Sequence, residues 1–146
     1  MSNYSNTLSN VPFLLPTPAQ RRLWLISQGN MDSALYNVPF SLRLRGTLDR
    51  EALEQTIIFM IERHPVLRSQ FHVLNGELQI ALNPQWPELR ISDLSYYSPE
   101  EHETQIQSIR DNEARYCFNL SRDLPFRCLL LRRQENDHQL IFTLHQ

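Results

Sequence analysis

Apolar and polar residues alternate one by one over Asn37 to Arg45, with Val38, Phe40, Leu42 and Leu44 on one face and Ser41, Arg43 and Arg45 on the other. A period of two predicts a half-buried strand. The alternation returns at Phe71 and Val73, breaks at Asn75-Gly76 and resumes at Leu78, Ile80 and Leu82. Asn-Gly suits a two-residue turn whose central residues are both left-handed, so a hairpin is predicted. Two apolar runs, Phe126 to Leu131 and Leu140 to Leu144, flank the polar turn Gln134 to Asp137 and predict a second hairpin. A short strand is expected at Leu89 to Ile91.

Elsewhere the period changes to that of a helix. Leu48, Ala52, Leu53, Thr56, Ile57, Met60 and Ile61 recur at helical spacing, predicting a helix over Arg50 to Arg63, capped by Thr47 or Asp49 and ended by Pro65. Thr17-Pro18 is a start signal for a helix through Ala19 to Ile26 that stops near Gly29. Ser98 with Glu101 forms a capping box for a third helix, Pro99 to Phe118, whose apolar line (Ile106, Ile109, Tyr116) is thin. Met1 to Asn10 shows no period, and residues 1–15 are expected to form a flexible tail before a packed unit over 16–146. Helices interleaved with short hairpins predict an α+β sandwich with a mixed, largely antiparallel sheet.

Composition narrows the chemistry. The net charge is −2, so the basic footprint of a nucleic-acid binder is absent. All 14 basic residues are Arg, which excludes Schiff-base and phosphate-loop lysines. Gly29, Gly46 and Gly76 are isolated and form no phosphate cradle. Two cysteines, Cys117 and Cys128, are too few for a disulfide framework. The first twenty residues carry no basic side chain, unlike a signal peptide. The longest apolar run, Ile57 to Ile61, falls far below the ~18 residues of a membrane span. A cytoplasmic protein is the expectation.

Few constellations suggest a site. Among His64, His72, His102, His138 and His145, no pair has the i, i+4 spacing of a zinc protease. Cys117, Cys128, His138 and His145 match no zinc module by spacing. Glu100, Glu101 and Glu103 fall in the first turn of a helix, where carboxylates complement its dipole, and Arg132-Arg133 is too short for a basic patch. His145 ends an apolar strand, a place suited to acid–base work, although a lone histidine there is more often a hydrogen-bonded structural residue.

Three separated segments share one pattern. Thr17-Pro-Ala-Gln-Arg-Arg-Leu-Trp24 resembles the first motif of nonribosomal peptide synthetase condensation domains, Ser-x-Ala-Gln-x-Arg-Leu-Trp. Arg63-His-Pro-Val-Leu-Arg-Ser-Gln-Phe71 resembles their second, Arg-His-Glu-x-Leu-Arg-Thr-x-Phe, with Pro65 in place of Glu. The pair Phe126 to Leu131 and Leu140 to His145 is similar to the strands leading into their third, His-His-x-x-x-Asp-Gly. The resemblance implies a chloramphenicol-acetyltransferase-like fold, of which this chain supplies a truncated amino-terminal half-lobe. It also implies a parent that joins donor and acceptor thioesters, carried on phosphopantetheine arms of acyl or peptidyl carrier proteins, into an amide. No metal or cofactor bound by the chain itself is implied, and no nucleic acid or membrane partner.

Carried over residue by residue, His145 matches the first motif histidine and Gln146 stands where the family's catalytic second histidine does. Gln20, Arg22, Trp24, Arg63 and Arg68 match motif positions; Arg63 is the arginine expected to pair with the motif aspartate beyond Gln146, and Arg22 and Arg68 are expected to brace the lobe. A glutamine cannot accept a proton near neutral pH, so this chain alone is expected not to catalyse condensation. Two other readings remain: a non-catalytic domain that docks carrier or tailoring proteins, and a CoA-dependent acyltransferase of the same superfamily. A half-lobe is also expected to expose strand edges and an apolar face that the remaining part of the domain would cover, and in isolation to dimerise, aggregate or fold dynamically.

Overall fold

The computed structural model describes residues 13–29 and 33–145, so most of the expected tail and Gln146 lie outside the described residues. Within residues 13–15, Leu14 exchanges both backbone hydrogen bonds with Ile80, at 2.9 and 2.8 Å. The helix α1 (Pro18–Gln28) starts as expected, and its cap is reciprocal: Thr17 Oγ1 accepts from the Gln20 N–H while Gln20 Oε1 accepts from the Thr17 N–H. The strand β1 spans Asn37–Arg45, and α2 spans Arg50–Arg63 with Asp49, not Thr47, as its cap. The first hairpin, β2 (Ser69–Leu74) and β3 (Glu77–Leu82), turns at Asn75 and Gly76, both with positive φ as the pair predicts. Then follow β4 (Arg90–Asp93), α3 (Pro99–Ala114), β5 (Phe126–Gln134) and β6 (Asp137–His145).

Four strands form one sheet in the order β1-β6-β5-β4, with β4 parallel to β5 and the other pairs antiparallel. The sheet is thus mixed and largely antiparallel, and helices cover both faces. On one face Ile57 and Ile61 of α2 pack against Phe126, Cys128, Leu130, Leu140 and Phe142. On the other, Ile106 and Ile109 of α3 pack against Leu129, Leu131 and Ile141, with Leu94 beside them. The β2–β3 hairpin stands apart, and its Phe71, Leu78 and Ile80 enclose Phe118, Leu120 and Trp24.

The structure departs from the pattern in three places. The helix α3 ends at Ala114, short of Phe118, because the Asn37 side-chain amide donates to the carbonyls of Ala114 (2.9 Å) and Tyr116 (2.8 Å), and Phe118 turns into the hairpin cluster. The strands β5 and β6 run up to Glu135 and Asn136, so the polar residues expected in the turn lie in the ladder. Of these, Asp137 pairs with Arg43 across the strands at 2.7 Å, and the neighbouring Arg133 pairs with Glu103 of α3 at 2.5 Å. Finally, the apolar face of β1 is only partly covered, with Leu44 packed against the core and the rest of the row open. Val38, Phe40 and Leu42 remain 38%, 43% and 50% exposed, because α2 lies mainly over β5 and β6 and leaves most of the edge strand's apolar row open.

Thr143 on β6 is fully buried, and its Oγ1 has no hydrogen-bond partner among the described residues. An unpaired buried hydroxyl costs stability, so Thr143→Val should raise the unfolding free energy by about 1 kcal/mol in a urea titration.

Candidate functional site

His145 is the last described residue of β6 and pairs with Asn37 at the first position of β1. Its backbone N–H donates to the Pro125 carbonyl at 3.0 Å, which ties the end of β6 to the segment entering β5. Its ring meets Phe118 edge-on, with centroids 5.6 Å apart, and lies 6.4 Å from the Tyr36 ring. Gln20, Leu23, Ser69, Phe71, Leu120 and Pro125 join His145 around a small cleft of about 50 Å³. Three sequence elements thus converge there: α1, the first hairpin and the end of β6.

The residues singled out by sequence divide into two groups. Gln20 caps α1 and lines the cleft, and Trp24 packs into the cluster that holds Phe118. Arg68 braces the turn after α2: its guanidinium stacks 4.7 Å over Trp86 and donates to the Asn83 carbonyl. Arg22 is different. It is exposed on α1 and makes no ion pair among the described residues. Arg63, in the last turn of α2, is likewise exposed and unpaired among the described residues.

Among the described residues no group of three or more His, Cys, Asp or Glu side chains is placed so that it could hold a metal ion. Burial pushes the Cys128 thiol up to about 12, so it stays protonated near neutral pH and is a poor ligand or nucleophile. His102 is buried at the start of α3, with Nε2 2.8 Å from the Leu94 carbonyl. Glu101 completes the Ser98 capping box, as a helix-start role requires, and Glu103 pairs with Arg133. Among the described residues no helix is long and apolar enough to cross a membrane.

Beside His145 lies a cluster that sequence reading missed. The Glu113 carboxylate accepts from Arg90 Nη1 and Nη2 at 2.9 and 2.7 Å, and from Arg127 Nε and Nη2 at 3.1 and 3.4 Å. Burial raises its carboxyl, but the hydrogen bonds from Arg90 and Arg127 prevail and hold it below the ordinary glutamate value. The Arg127 guanidinium sits 3.6 Å over the Tyr116 ring, and Tyr116 donates its hydroxyl proton to Asp123 at 3.1 Å. The signal was present in the spacing: Ile106, Ile109 and Glu113 share a helical face, and Arg127 interrupts an apolar strand.

The family model described as "Condensation domain" matches residues 13–145. The chain belongs to the condensation-domain family. Cyclosporin synthetase simA of Tolypocladium inflatum is 38% identical over 128 residues, covering 87% of this chain and 1% of the synthetase. Chondramide synthase cmdD of Chondromyces crocatus is 33% identical over 139 residues, covering 94% of this chain and 4% of the synthase. Among solved structures, the starter condensation domain of rhizomide synthetase RzmA superposes with a TM-score of 0.79 at 20% identity, over 92% of this chain and 32% of that one. The X-domain in complex with OxyB from teicoplanin biosynthesis gives 0.74 at 27% identity, over 90% of this chain and 27% of that one. The fold is therefore that of the amino-terminal part of a condensation domain, spanning about a third of the solved relatives.

Proposed function

We propose that this chain is the amino-terminal part of a condensation domain whose complete form joins a donor acyl or peptidyl thioester to an acceptor aminoacyl thioester. Both substrates are held on phosphopantetheine arms of carrier proteins in the cytoplasm, and the chain binds no cofactor of its own. The observation that carries this reading is the family match over residues 13–145, which ends on the histidine that closes the cleft between α1 and β6. The exposed Arg63 guanidinium is available to the aspartate of the third motif, supplied by the remaining part of the domain. Gln146, at the position of the catalytic histidine, supports a second reading in which the domain docks carrier or tailoring proteins without catalysis.

The test is a chimera joining residues 1–146, with Gln146→His, to the remaining two-thirds of a related condensation domain. Carrier-bound donor and acceptor are supplied, and amide on the acceptor carrier is read by intact-protein mass spectrometry. Amide formation is expected. Its absence, while the relative's own intact domain turns over, would favour the docking reading.

The open row Val38, Phe40 and Leu42 lies on a strand edge that is unpaired among the described residues, with a consequence for the chain in isolation. It is expected to self-associate, because exposed apolar edges template pairing. Phe40→Thr with Leu42→Thr should shift the sedimentation profile to monomer. A parent chain that sediments as a monomer at the same concentration would contradict this.

A further inference from the structure

We infer that Glu113 is a positioning residue for the motif histidine His145, acting through a continuous chain of contacts that runs Arg127, Tyr116, Phe118. Each link is a direct contact. Glu113 fixes the Arg127 fork with two hydrogen bonds, at 3.1 and 3.4 Å. The guanidinium held in this way has its central carbon 3.6 Å from the Tyr116 ring centroid, a close contact that depends on where the fork is held. Tyr116 meets Phe118 edge-on at 4.9 Å and 85°, and Phe118 meets His145 edge-on at 5.6 Å and 69°. Edge-to-face pairs are directional, so a rotation of one ring is felt by the next.

The first and middle links of the chain have further partners of their own. Arg90 grips the same carboxylate from β4, and Tyr116 is anchored through Asp123, which also accepts from the Asn119 N–H at 2.8 Å. Asn37, opposite His145 in the ladder, holds the Ala114 and Tyr116 carbonyls. The carboxylate at the end of α3 thereby sets where the aromatic wall of the histidine stands. The assignment of His145 as the motif histidine rests on the proposed function above, whereas its coupling to Glu113 does not.

The experiment is NMR of the His145 imidazole carbon-bound protons in the full 146-residue chain at fixed neutral pH. Those protons sense the ring current of Phe118. Glu113→Gln should move them by more than a linewidth, whereas Glu103→Gln, which breaks the other α3 ion pair, to Arg133, should not. Tyr116→Leu should move them and Tyr116→Phe should restore them, since the ring carries the coupling. In the Tyr116→Leu background, Glu113→Gln should have no further effect. Unmoved His145 signals in a folded Glu113→Gln protein would overturn the inference. If that variant does not fold, equal shifts in Tyr116→Leu and Tyr116→Phe would do so. Because no turnover is measured, an inactive chimera leaves this result standing.

Discussion

Replacing Glu113 with alanine should lower the unfolding free energy by about 2–4 kcal/mol, among the largest losses available to a single polar substitution in this chain. The carboxylate is held by four hydrogen bonds from two arginines. Its removal leaves the Arg90 and Arg127 guanidinium groups as unpaired like charges at one site. Their side chains are 36% and 23% exposed, so solvent screens part of the penalty and the loss stays below that of a fully enclosed triad. The pH dependence has a fixed sign. The folded-state carboxyl sits below its ordinary value of 4.5, so its contribution is complete above that value and is lost as pH falls through the folded one. Asp137, hydrogen-bonded by Arg43, and Glu103, hydrogen-bonded by Arg133, are depressed too and act in the same direction. Urea titrations at pH 7 and at successive steps below 4.5 should therefore show the parent approaching Glu113→Ala as it acidifies. A constant gap between the two down to the acid limit would refute this account.

That cluster also marks where sequence reading succeeds and where it stops. The ends of β1 and α2 were legible because local chemistry decides them: strict alternation over Asn37–Arg45, and a carboxylate at Asp49 to satisfy the Ala52 N–H. The Asn75-Gly76 turn was legible for the same reason, since left-handed backbone at both positions leaves few residue choices. The end of α3 was not. Its periodicity runs on toward Phe118, and what stops it is a side chain far away in sequence, Asn37, together with burial of Phe118 under the hairpin. Nor could alternation alone show that the apolar face of β1 stays open, because that depends on which strands α2 covers. Two motif residues, Gln20 and His145, line the cleft, whereas Glu113, Arg127 and Tyr116 belong to no motif and are joined only by the fold. Arg22 shows the converse: a motif position whose side chain has no ion-pair partner among the described residues.

Gln146→His, made in the chimera with the remaining two-thirds of a related domain, should raise the rate of amide formation by about 10²–10⁴-fold over the glutamine form. A glutamine amide offers a carbonyl acceptor and two N–H donors, so it can orient an amine but cannot take its proton near neutral pH. An imidazole can do both. What the glutamine form retains is the part of catalysis that comes from holding two carrier-bound thioesters in register, and that part can be large. The gain should therefore appear in kcat with KM for the acceptor nearly unchanged, because the binding surfaces are common to both forms. It should also bring a pH profile that rises through the range of an imidazole, absent from the glutamine form. His145→Ala in the same chimera separates the two histidine positions. Its ring packs edge-on against Phe118 beside the cleft, so its loss should lower stability and disturb the cleft without creating or abolishing that pH limb. A chimera equally active with glutamine or histidine at position 146 would place the whole rate in positioning, and proton transfer by that side chain would drop out of the mechanism.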